Sequence, residues 1–171
     1  MLRNLTAALL LLAALVLQVS LASRLLGVFA PDLVLLTVAA LAAVRGPVPG
    51  AVIGFCGGLA YDLMPPAHHT LGQYALVLCV LGYAAGRVGE QAPLVTVVVC
   101  ALLGPGLEAG FGALLGSPGV TWDVVRSAWV RGALCNLVAA PAVFWAVTAL
   151  HRHGRRGGGT ELVTSWRRGT A

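Results

Sequence analysis

The sequence predicts an all-α, polytopic membrane protein folded as a six-helix transmembrane bundle, and three observations carry that expectation. Only 10% of the residues are charged while 58% are hydrophobic, and the mean hydropathy is +0.89; a soluble domain carries about a quarter of its residues as Asp, Glu, Lys or Arg. Between Leu5 and Leu150 about six apolar stretches follow one another, and roughly 20 apolar residues cross a bilayer core as a helix. Very short polar breaks join them, so 171 residues leave almost no mass for a soluble catalytic domain.

The first helix is expected over Leu5 to Ser23, after Arg3. Its basic start and the small residues Ser20 and Ala22 also resemble a cleavable signal peptide. Retention is favoured, because cleavage would leave an odd helix count and put the Arg-rich tail outside. The second helix is expected to start near Pro31, since proline suits a first helical turn and Asp32 complements the helix dipole there. It ends at Val44, where Arg45-Gly46-Pro47-Val48-Pro49 reads as a loop, two prolines removing donors and constraining their predecessors. The third helix follows from Gly50 to Met64 and stops at Pro65-Pro66, and the fourth covers Leu71 to Gly86. The fifth runs from Pro93 to Leu115, with a kink expected at Gly104-Pro105-Gly106. Gly116 to Arg131, with Trp122 and Trp129, reads as an interfacial segment, because Trp favours the headgroup level. The sixth helix is expected from Gly132 to Leu150. Residues 1–150 thus form the bundle, and residues 151–171 form a Gly/Arg-rich tail with too little apolar surface to fold.

The net charge of +5 comes from eleven Arg and no Lys. Six spans place both termini on one side. Arg3, Arg45, Arg87 and the tail residues Arg152, Arg155, Arg156, Arg167 and Arg168 then share that side, against Arg24, Arg126 and Arg131 on the other. That bias puts both termini in the cytoplasm. Since the excess charge sits mainly in the tail, it reads as an orientation signal and not as a nucleic-acid surface.

The sharpest pattern lies around the third helix, where Gly46, Gly50, Gly54, Gly58 and Asp62 recur every four residues. Small residues at that spacing let backbones approach closely, where packing replaces the missing hydrophobic drive. The partner is another helix of this chain or another protein. Gly82/Gly86 repeats the spacing on the fourth helix, and Gly106/Gly110 on the fifth. A second pattern is acidic: Asp32, Asp62 and Glu108 all fall in the outer half of the bundle, where ionisable groups need partners or water. Asp62 is placed at a helix C-terminus, which disfavours an anion, and Arg126 and Arg131 are the cations entering from the same side. The expected arrangement is a polar cluster of Asp62 and Glu108 with Arg131, joined by Asn136. The alternative is interfacial placement with the side chains reaching water, which is the expectation for Asp32.

No chemistry of an enzyme is legible. Cys56, Cys79, Cys100 and Cys135 lie singly in apolar runs without zinc-site spacing. His68-His69 and His151/His153 read as solvated loop and tail residues. There is no phosphate-cradling loop after a strand, no Ser/His/Asp set and no metal-ligand cluster, so no catalytic residue, cofactor or metal is implied.

One stretch is more specific. Pro31-Asp32-Leu33, Arg45-Gly46-Pro47, Gly50-Ala51-Val52-Ile53-Gly54-Phe55, Gly58-Leu59, Tyr61-Asp62-Leu63, Leu71-Gly72 and Gly82-Tyr83-Ala84-Ala85-Gly86-Arg87 follow in an order and spacing that resembles the rod shape-determining protein MreD family. The resemblance covers residues 31–87. It implies an inner-membrane, non-enzymatic scaffold of the cell-wall elongation machinery, with MreC, the actin-like MreB (indirectly), RodA and a penicillin-binding synthase as partners in lateral peptidoglycan synthesis. It also implies an architecture similar to the substrate-binding components of energy-coupling-factor vitamin transporters, which makes such a component the rival reading. Those components carry an A-x-x-x-A docking pattern on the first helix. Here Ala7, Ala8, Ala13, Ala14 and Ala22 never fall four apart, and the nearest such pair is Ala39/Ala43 on the second.

Overall fold

A computed structural model of the chain describes residues 2–21, 30–64, 72–114 and 122–156, with the helical backbone alone at residues 2, 3, 21, 124 and 151–156. The described residues form six helices and no strand: α1 (Leu2–Leu21), α2 (Leu33–Arg45), α3 (Pro47–Asp62), α4 (Gln73–Val88), α5 (Pro93–Leu114) and α6 (Trp122–Arg156). Two segments, Pro93–Leu114 and Val125–Leu150, are long and apolar enough to cross a membrane. Arg24, His68, His69 and the tail beyond Arg156 lie outside the described residues.

The second helix is the hub. Every residue of α2 from Leu33 to Ala43 is buried, and α2 packs against all five other helices. Its 13 residues rise only about 20 Å, well short of a ~30 Å hydrocarbon core. Asp32 begins it as the N-cap, its Oδ1 accepting from the Leu35 N–H at 3.0 Å. That satisfies one of the donors left over at a helix start. The helix ends where Gly46 adopts φ 95°, a left-handed conformation that glycine takes without steric cost.

Several boundaries differ from those read in the sequence. The expected proline loop is instead the first turn of α3, with Pro47 at its start. The first four N–H groups of a helix have no intrahelical acceptor, so prolines there remove nothing the helix uses. Gly46 alone therefore joins α2 to α3. The expected interfacial segment is helical from Trp122, so α6 reaches 35 residues and carries on through the start of the expected tail to Arg156. No proline interrupts residues 122–131, and Asp123 in the first turn favours the helix dipole. Finally, α4 begins at Gln73, behind Gly72 at φ 90°.

In α5 the helix continues through Pro105. A proline has no N–H to give to the carbonyl four residues earlier, here that of Ala101. The Asn136 side chain on α6 donates its Nδ2 to that carbonyl at 3.5 Å. One residue on, the Leu102 carbonyl accepts from Trp129 Nε1 at 2.8 Å. The break in one helix thus becomes the seam to the next.

Candidate functional site

Two constructions stand out, and they share α4. The first is an antiparallel glycine seam between α3 and α4. Gly50 faces Gly82, Gly54 faces Leu78, Gly58 faces Tyr74 and Ala75, and Gly86 faces Gly46 and Pro47. The four-residue stripe of one helix meets the four-residue stripe of the other in opposite chain direction. A methyl group on Gly54 would lie 2.7 Å from the carbonyl carbon of Leu78, and one on Gly58 would lie 2.8 Å from the Ala75 nitrogen. Neither is a distance that real Cβ atoms adopt, so backbone rests on backbone. The stripe residues Gly50, Gly54, Gly58, Gly82 and Gly86 all lie in this contact, within the chain; Gly46 contributes its backbone as the linker that Gly86 rests on.

Asp62 closes the end of the seam. It is buried at 1% exposure, and its Oδ2 accepts from the Gly72 N–H at 2.9 Å and the Ala75 N–H at 3.1 Å. These are donors at the start of α4, whose positive dipole end favours an anion. The dipole conflict read at the end of α3 is therefore answered by the start of the next helix.

The second construction is a cavity of about 410 Å³ at the same end of the bundle. Its polar lining comprises Gln18 from α1, Asp32, Tyr61 from α3, Gln73 and Tyr74 from α4, Glu108 from α5 and Asn136 from α6. A chain of hydrogen bonds frames it. Asn136 Oδ1 accepts from the Asp32 backbone N–H at 2.6 Å, and the Tyr74 hydroxyl donates to Asp32 Oδ2. Gln18 Oε1 accepts from the Val34 N–H at 3.0 Å, and Gln73 Nε2 donates to the Glu108 carbonyl at 3.1 Å. The Tyr61 and Tyr74 rings meet with centroids 4.6 Å apart. Asn136 and Tyr74 are 1% and 2% exposed, so this frame is interior structure. Asp32, expected to reach water, instead spends its carboxylate on its own helix and on Tyr74.

The structure brings Asp32, Glu108 and Asn136 to one cavity and leaves Asp62, Arg126 and Arg131 out of its lining. The reason is helical phase. At about 100° per residue, Val125, Ala128, Gly132 and Asn136 share the face of α6 that lines the cavity. Asp123, Arg126, Ser127, Val130 and Arg131 share the opposite face, around a separate surface concavity. Arg131 is exposed there, its Nε donating to the Ser127 carbonyl at 3.1 Å. Height along the bundle puts Arg131 near Glu108, but azimuth separates them. Sequence reading did not single out Gln18, Gln73 or Tyr74, and it met Tyr61 only as part of the family motif. The signal was a lone amide or hydroxyl inside an apolar run, the kind of group that needs a partner when buried.

The seam falls within the stretch that carries the known similarity. No curated protein and no solved structure matches the chain. A family model, described as rod shape-determining protein MreD, matches residues 1–104, more than half of the 171 residues and inclusive of α1 to α4. The chain belongs to the rod shape-determining protein MreD family, a family of membrane proteins with a role in rod shape determination.

Proposed function

We propose that this protein is a multi-pass, non-enzymatic scaffold of the cell-wall elongation complex in the bacterial inner membrane. It works with MreC, RodA and a penicillin-binding synthase, and indirectly with MreB, in lateral peptidoglycan synthesis. The family match over residues 1–104 carries this reading. Two structural observations support it. Large apolar side chains stay exposed along the outer helices, among them Leu5, Leu9, Leu12 and Val16 on α1 and Val95 and Val99 on α5. Such continuous apolar surface suits lipid and not water. The acidic residues also lean to one end: Asp32, Asp62 and Glu108 gather there, with Arg126 and Arg131 on the outer face of α6, while Arg45 and Arg87 close α2 and α4 at the opposite end, followed by Glu90. With both termini cytoplasmic, the arginine end faces inward and the acidic end outward.

The test is a crosslinked pull-down of the tagged protein from its native membrane, with partners identified by mass spectrometry. Recovery of MreC and peptidoglycan synthases is expected. Recovery of an ATPase module with a transmembrane coupling subunit overturns the scaffold reading. A His68→Cys variant lacking the native cysteines tests the orientation, since it should label only from outside the cell.

A further inference from the structure

We propose that the cavity between α4, α5 and α6 is a binding site for a small organic cation, an ammonium or guanidinium group on a short apolar body, seated against the Glu108 carboxylate. Its volume of about 410 Å³ lies in the range of small-molecule sites. Among the described residues the lining holds two carboxylates and no Arg, Lys or His. The two carboxylates are not equivalent. That of Asp32 is committed to the Leu35 N–H and the Tyr74 hydroxyl. That of Glu108 receives no hydrogen bond from a described residue; only its backbone carbonyl is used, by Gln73.

A carboxylate held inside an apolar bundle without a counter-charge is costly, and the two nearest arginines of α6 lie on the far face of that helix. A cation in the cavity supplies the missing charge through a charge-assisted hydrogen bond, stronger than a neutral one. Pro105, Ala109 and Val125 offer apolar wall for the body of the ligand. The same field rejects an anion. The inference rests on the cavity and not on the scaffold reading, so either can fail alone; orientation decides only that the ligand arrives from outside.

Three probes with one ring and different heads test it on the purified full chain in detergent: phenethylammonium, 2-phenylethanol and phenylacetate. Binding is read by isothermal titration and by the thermal unfolding midpoint. Phenethylammonium should bind saturably and raise the midpoint, while the alcohol and the acid bind at least about tenfold more weakly. Glu108→Gln should weaken phenethylammonium by roughly tenfold or more. Ala109→Phe, which fills the cavity while leaving both carboxylates, should abolish binding. Equal binding of all three probes, unchanged affinity in Glu108→Gln, or no binding of phenethylammonium at about 10 mM overturns the proposal.

Discussion

The two faces of α4 solve opposite problems. Toward α3 the helix presents Gly82 and Gly86, and the contact is so close that no side chain fits between backbones. Toward α5 and α6 its first turn presents Gln73 and Tyr74, and a cavity remains. The seam is determined many times over, because each glycine along it forbids the same displacement. The cavity is held by single hydrogen bonds from five different helices, each irreplaceable by its neighbour. A repeated contact makes a rigid strut; a set of unrepeated ones makes a site whose shape depends on a few atoms.

Substitutions should separate the two. Gly54→Leu should do the most damage, since the new side chain must displace the α4 backbone; a loss of about 3 kcal/mol or more is expected. It is read as failure to accumulate in the membrane, and normal accumulation with a normal unfolding midpoint would break the account of the seam. Asp62→Ala leaves the start of α4 without its acceptor and should cost about 1–2 kcal/mol in thermal unfolding. Asp62→Asn keeps an acceptor oxygen and should recover part of that loss; if Asn behaves like Ala, capping is not what Asp62 does. At the cavity frame, Tyr74→Phe removes the hydroxyl that donates to Asp32 and should cost about 0.5–1.5 kcal/mol. Glu108→Gln should cost nothing in the ligand-free protein and hold or raise its unfolding midpoint, because no described hydrogen bond to the carboxylate is lost and an uncompensated interior charge is removed. A large loss there would mean that Glu108 supports the frame, which would merge the two classes of contact.

The seam was legible in the sequence and the cavity was not, for a physical reason. A glycine every four residues is a periodic signal, and a period specifies a face. Both stripes, Gly50/Gly54/Gly58 and Gly82/Gly86, could be read before their pairing was seen. The cavity is built from single residues on five helices, and what they share is position in space, which no local pattern encodes. Ordering the acidic residues by depth along the membrane normal brought Asp32 and Glu108 to the same end. It also placed Arg131 with them, because depth ignores the rotation that separates residue 131 from residue 136 by about 140° on a helix. Pro105 was read as a kink and not as a released carbonyl, since the acceptor's new donor, Asn136, lies 35 residues away from Ala101.

The bond from the Asp32 N–H to Asn136 spans 104 residues of chain, and that separation is also an interval of time. A ribosome adding roughly 5–20 residues per second needs about 5–20 s to go from one to the other. For most of that interval the central helix has been synthesised and its last partner has not. The hub of the finished bundle is therefore among the first parts synthesised and among the last to be secured. A nascent chain stopped between residues 45 and 136 carries its most buried helix with its N-terminal frame still open.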